Sequence, residues 1–126
     1  MKHKYLHELF SNEDMMFPYN EEDYPDFDER RTFNMDGSLI AYLYENLRFF
    51  QDEASKIVNF DFHKFEIDGE ELTQRQCIDR MVEDCKIILL YDEVGDDMEF
   101  TGWKKTDAAK DDLFKVLSKV YWSMWW

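Results

Sequence analysis

Basic residues are scarce in this sequence: 15 Lys and Arg stand against 29 Asp and Glu, a formal net charge of −14. A surface with that balance repels nucleic-acid phosphates and anionic membrane and attracts basic partners, so it argues against direct nucleic-acid binding. Glycine is sparse too. Gly37, Gly69, Gly95 and Gly102 are scattered singly, which excludes a phosphate-cradling loop. The two prolines, Pro18 and Pro25, fall in one acidic stretch and interrupt any helix there. Cys77 and Cys85 are the only cysteines. In a helix a spacing of eight puts them about 12 Å apart along the axis, beyond the ~7 Å that a disulfide tolerates between Cα atoms. Two reduced, buried thiols are therefore expected. No run approaches the roughly 18 apolar residues of a membrane span. Residues 1–10 are polar without a continuous apolar core, which predicts no signal peptide and a cytoplasmic protein.

What is present is enough for a fold. A chain of 126 residues suits a single domain with one core. An apolar share of 44% and an aromatic share of 17% set it apart from disordered chains, even with 35% of residues charged. Tyr5, Leu6, Leu9 and Phe10 recur at near-helical spacing and predict a short N-terminal helix. Residues 13–29 then carry eight carboxylates and no Lys or Arg, interleaved with Phe17, Tyr19, Tyr24 and Phe27. This reads as an irregular or extended acidic-aromatic segment.

A helix is expected over 38–58, capped by Asp36 or Ser38, with Leu39, Leu43, Leu47, Phe50, Ala54 and Ile57 inward. Glu45, Arg48, Asp52, Glu53 and Lys56 occupy its opposite face. Phe60, Phe62, Phe65 and Ile67 alternate imperfectly before the turn signal Asp68-Gly69, consistent with either a short strand or an extended linker. The linker is the favoured reading, because a lone strand has no evident partner. Thr73-x-x-Gln76 is a capping box ahead of a helix over 74–90. Cys77, Ile78, Met81, Val82, Cys85, Ile88 and Leu89 line one side of it, and Asp79, Arg80, Glu83 and Asp84 the other. An acidic loop is expected over 91–105. A last helix over 106–124 follows, with Leu113, Leu117, Val120, Tyr121 and Met124 on one side, and Trp122 and Trp125 either close the core over it, the favoured reading, or form a binding tail. At least one terminal Trp ring then lies near the surface, since one helix face cannot hold all three. The predicted fold is mainly α, a small helical domain of three to four helices with an irregular acidic N-terminal segment. One short strand or hairpin is allowed near 59–68. Residues 1–36 form the N-terminal part and 37–126 the helical core of one domain.

Catalytic signals are absent. No G-x-S-x-G occurs, and neither cysteine has a plausible base beside it. His3 and His7 have helical i, i+4 spacing but no obvious third ligand, and read as solvated tail residues; His63 stands alone as a structural or surface histidine. In the acidic stretch 92–99, Gly95 falls at the fourth position from Asp92, where a calcium loop needs glycine at the sixth. No catalytic residue, metal site or cofactor is expected, and the protein reads as a non-enzyme. The candidate partner-binding residues are Glu21, Glu22, Asp23, Tyr24, Asp26, Phe27, Asp28 and Glu29, with Asp96 and Asp97 in the second acidic stretch and Trp125 and Trp126 at the end. Aromatics among dense carboxylates can anchor a strip whose charges compete for the Lys and Arg of a nucleic-acid-binding groove.

Three stretches carry a resemblance: Glu70-Glu71-Leu72-Thr73, Cys77-Ile78-Asp79-Arg80-Met81-Val82-Glu83-Asp84-Cys85, and the run from Asp111 through Leu113-Phe114 to Trp125-Trp126. There the chain resembles a family of small, acidic, uncharacterised tailed-phage proteins, through apolar helical spacing and a terminal Trp. The likeness spans 70–126, leaves 1–36 outside, and brings no catalytic residues with it. It implies a viral protein acting in the host cytoplasm, where small acidic proteins often inhibit nucleic-acid machinery, anti-CRISPR and anti-restriction proteins among them. The expected partner is a basic host or defence protein that binds nucleic acid; no membrane or nucleic acid is bound directly, and a homodimer is allowed. The alternative is a virion structural or assembly protein that packs through its Trp-rich C-terminus.

Overall fold

A computed structural model describes residues 4–10, 35–90 and 100–125, with side chains from 104 onward in the last stretch. Helix α1 (Lys4–Leu9) and helix α2 (Met35–Glu53) come first, and a 3-10 turn (Ala54–Lys56) extends α2. Strands β1 (Lys64–Ile67) and β2 (Glu70–Thr73) follow, then helix α3 (Gln74–Leu89), helix α4 (Phe100–Val120) and a closing 3-10 turn (Tyr121–Ser123). The fold is mainly helical, with one short antiparallel hairpin. The chain forms two compact units, Met1–Asn46 and Leu47–Trp126, and α2 runs through the boundary.

In the first unit α2 buries Ile40, Ala41, Tyr44 and Glu45, while Leu39 is exposed and Leu43 half-buried. The buried stripe is thus turned by one residue, about 100°, from the one that leucine spacing predicts. Glu45, expected on the solvent face, lies inside. Its Oε1 accepts the Tyr5 N–H at 3.1 Å and its Oε2 the Leu6 N–H at 2.9 Å. These donors belong to the first turn of α1, which has no intrahelical partner for them. A six-residue helix is unstable alone, and here a carboxylate and the buried Tyr5 and Leu6 side chains hold it. His7 is half-buried on this helix rather than solvated. Asp36 and Ser38 sit inside the first turn of α2 instead of before it, and Asp36 Oδ1 accepts the Gly37 N–H at 2.9 Å.

In the second unit α3 and α4 pack along each other, and the hairpin lies against both. The core comprises Leu47, Phe50, Ala54, Phe60, Ile67, Cys77, Ile78, Met81, Val82, Cys85, Ala109, Leu113, Val116 and Val120. Phe50 and Phe60 stack at 5.2 Å. Ile57, expected inward, is exposed, because the backbone tightens to 3-10 after Glu53 and leaves the α period. The linker reading of the segment near 59–68 is corrected: β1 pairs with β2 in the register Ile67↔Glu70 to Lys64↔Thr73. The Asp68-Gly69 turn has positive φ at both positions (54° and 82°), as a two-residue hairpin loop requires. Glu70-Glu71-Leu72-Thr73 lacks apolar alternation, which hid the second strand.

The start of α3 is fully satisfied. Gln74 N–H donates to the His63 carbonyl (3.0 Å), Arg75 N–H to the Phe60 carbonyl (3.1 Å) and Gln76 N–H to Thr73 Oγ1 (3.2 Å). Thr73 N–H donates back to Gln76 Oε1 at 2.9 Å, completing the predicted capping box. Both cysteines are buried and free, as the spacing requires. Asp84, expected on the polar face, is buried. Helix α4 begins at Phe100, so residues 100–105 are helical rather than loop. Its inward residues after Leu113 are Val116 and Val120. The 3-10 turn then breaks the α period, so Tyr121, Trp122 and Trp125 are exposed and do not close the core. That turn is pinned by the buried Gln74, whose Nε2 donates to the Ser123 carbonyl at 3.1 Å.

Candidate functional site

Most residues singled out from the sequence lie outside the described residues: Glu21, Glu22, Asp23, Tyr24, Asp26, Phe27, Asp28, Glu29, Asp96, Asp97 and Trp126. Trp125 is described, with 74% of its surface exposed. Beside it in the chain, Trp122 is 85% exposed, and its ring meets Tyr121 edge-on at 5.0 Å. Phe114 is also exposed. The end of α4 therefore presents large aromatic rings to solvent, a composition typical of interface anchors.

A second constellation escaped the sequence reading. It joins α3, α4 and the hairpin turn. Arg80 Nε donates to Asp112 Oδ2 at 2.9 Å and Oδ1 at 3.2 Å, and Arg80 Nη2 donates to Asp112 Oδ1 as well. The same Nη2 reaches Asp68 Oδ2 at 3.2 Å. Lys115 Nζ donates to Asp68 Oδ2 at 2.7 Å and stands 3.8 Å from Asp112 Oδ1. The left-handed backbone at Asp68 sets this carboxylate at the tip of the hairpin, where it takes cations from both helices. The Lys115 ammonium, followed by Arg80, holds Asp68 below the usual carboxylate range.

Asp84 completes the cluster from one turn beyond Arg80 on α3, and its carboxyl hydrogen-bonds Asp112. The two acids are driven apart. Burial first, then the bond to Asp112, pushes Asp84 up to about 8. The Arg80 fork holds Asp112 down to about 2. Of the two, Asp84 is the one whose surroundings favour the neutral acid and Asp112 the one whose surroundings favour the carboxylate. Arg80 and Asp84 at i, i+4, with Asp112 and Lys115 at i, i+3, were the available sequence signal. It matches that of any solvated charged face.

Surface depressions lie near this cluster and beside the aromatic pair of the second unit. One of about 350 Å³ is lined by Glu66, Ile67, Asp68, Gly69, Lys115 and Lys119; one of about 190 Å³ includes Arg48, Phe60, Arg75 and Asp79. Both mix charges of opposite sign, so neither is built for an anion or a cation. Among the described residues no group of three or more His, Cys, Asp or Glu could hold a metal ion, and no helix is long and apolar enough to cross a membrane. His63 is exposed and meets the Phe62 ring edge-on. Burial pushes the Cys77 thiol up and the Cys85 thiol up to about 12, which suits packing rather than nucleophilic chemistry. No protein-family model, curated protein or solved structure matches the chain.

Proposed function

We propose that the protein is a phage-encoded, non-enzymatic acidic inhibitor that acts in the host cytoplasm. In this reading it docks on a basic, nucleic-acid-binding site of a host or defence protein, in the manner of anti-CRISPR or anti-restriction proteins. The observation that supports this is the uneven placement of charge. Residues 11–34 and 91–99 hold 13 of the 29 carboxylates beside only Arg30 and Arg31. The rest of the chain is close to balanced, and several of its acids pair with its own cations, as in Glu53–Lys56, Asp61–Arg75, Glu71–Lys64 and Asp107–Lys110. Excess negative charge destabilises a compact chain through self-repulsion. Two unbalanced acidic stretches are thus better explained by a partner than by folding.

The test is capture of a basic nucleic-acid-binding protein from host lysate, followed by titration against it. Replacing Glu21, Glu22, Asp23, Asp26 and Asp28 with Gln or Asn should lower affinity by orders of magnitude and leave the helical spectrum unchanged. Wild-type binding should weaken steeply with added salt. Full-strength inhibition by the neutralised variant would refute the proposal. The exposed Tyr121, Trp122 and Trp125 favour a second reading, a virion structural or assembly protein that packs through its Trp-rich end. Binding of that kind would be lost in Trp122→Ala with Trp125→Ala and would change little with salt.

A further inference from the structure

We propose that Asp84 and Asp112 form a proton-operated clasp between α3 and α4: one proton shared by the pair joins the helices, and its loss at alkaline pH loosens them. The geometry carries this. Asp84 is 8% exposed, its carboxyl group meets that of Asp112 across the helix interface, and no N–H or O–H donor among the described residues reaches its Oδ2. A buried carboxylate with an unpartnered oxygen is costly, and a neutral carboxylic acid is far less so. Asp112 cannot take the proton instead, because the Arg80 fork on one side and Lys115 on the other favour its ionised form. The groups facing Asp84 are Asp112 from α4 and, on α3 itself, Arg80 and the exposed Glu83. Asp68 from the hairpin turn shares Arg80 and Lys115, drawing part of their charge away from the pair. Arg80 thus already serves two carboxylates, and a third negative charge at Asp84 would find no free cation in the cluster.

The pair is also placed to matter. Its neighbours in α3 are the fully buried Met81 and Cys85, and Asp112 precedes the fully buried Leu113 in α4. These residues form the packing that joins the two helices. Deprotonation puts two carboxylates in contact at this seam and removes the proton that joins them. Breathing of the α3–α4 interface is the available relief. Asp84 binds its proton more tightly in the folded chain than in the unfolded one. The fold therefore loses stability as pH rises from about 4 towards 8, and the loss levels off above that.

The test is urea unfolding of the full chain at pH 5.5, 7 and 9, for wild type, Asp84→Asn and Glu83→Gln. Asparagine keeps a donor towards Asp112 and cannot ionise. In wild type the unfolding constant should rise by about two orders of magnitude between pH 5.5 and 9. In Asp84→Asn most of that rise should vanish. Glu83→Gln, which removes a neighbouring exposed charge, should keep it. Equal pH profiles for all three proteins would overturn the proposal, since general repulsion would then account for the slope. A carboxyl-carbon NMR titration of the wild-type protein gives an independent reading should Asp84→Asn fail to fold. A transition for Asp84 near pH 8 supports the clasp, and one below pH 5 overturns it.

Discussion

Replacing Glu45 with alanine should release α1 without unfolding the rest of the chain. Glu45 is 5% exposed and provides both acceptors for the Tyr5 and Leu6 N–H groups, at 3.1 and 2.9 Å. Alanine leaves two buried donors unsatisfied, at about 1–3 kcal/mol each, so about 2–6 kcal/mol in all. Against this stands the burial of Tyr5 and Leu6, where a Leu side chain contributes about 1.5–3 kcal/mol. The loss is comparable with what the burial of those two side chains contributes, so α1 should be largely detached. Native-state hydrogen exchange at the Tyr5 and Leu6 amides is the assay. Their protection should fall by about two orders of magnitude or more, which corresponds to ~2.7 kcal/mol, while amides in α3 keep theirs. Glu45→Gln retains one carbonyl acceptor and should give an intermediate loss. Burial raises the Glu45 pKa against the opposing pull of the two N–H groups. Part of the solvation cost of this carboxylate therefore appears only above its usual range, and the α1 amides should be best protected in mildly acidic buffer. Unchanged exchange at Tyr5 and Leu6 in Glu45→Ala would refute the claim that this carboxylate holds α1.

Two further predictions concern the second unit. Cys77 and Cys85 should resist a thiol reagent in native buffer and react within seconds to minutes in denaturant, because burial raises both thiols and hides their sulfurs; rapid native labelling of both would contradict this packing. Arg80→Ala should flatten the acid limb of the stability curve: Asp112, held down to about 2, contributes stability that is present above its unfolded pKa and is lost as pH falls towards 2. Without the fork this loss should shrink, while stability at pH 7 drops by about 1–3 kcal/mol, measured by urea unfolding at pH 2.5, 4 and 7.

The parts of the fold that were legible in advance are those settled within a few residues. Helix α3 is the clearest case. Thr73 and Gln76 close their capping box across three positions, and Cys77, Ile78, Met81, Val82 and Cys85 recur at the helical period. The Asp68-Gly69 turn was visible, but β2 was not, because Glu70 and Glu71 give a strand no apolar face to announce it. The end of α4 lies beyond any local pattern for a different reason. The helical period of the sequence carries on through Tyr121 and Trp122, whereas Gln74, 49 positions away, fixes Ser123 in a 3-10 turn and sets those rings outside.

The two buried acids mark the boundary most sharply. Composition and charge by themselves determined a mainly helical chain with an acidic excess confined to two stretches, because propensity, capping and net charge depend only on residue type and near neighbours. Whether a given carboxylate belongs to that excess or to the interior was decided by tertiary structure. Glu45 meets its donors 40 and 39 positions away, and Asp84 meets Asp112 on another helix. A carboxylate can leave water only where such distant groups converge to replace its hydration, and no local pattern specifies that convergence.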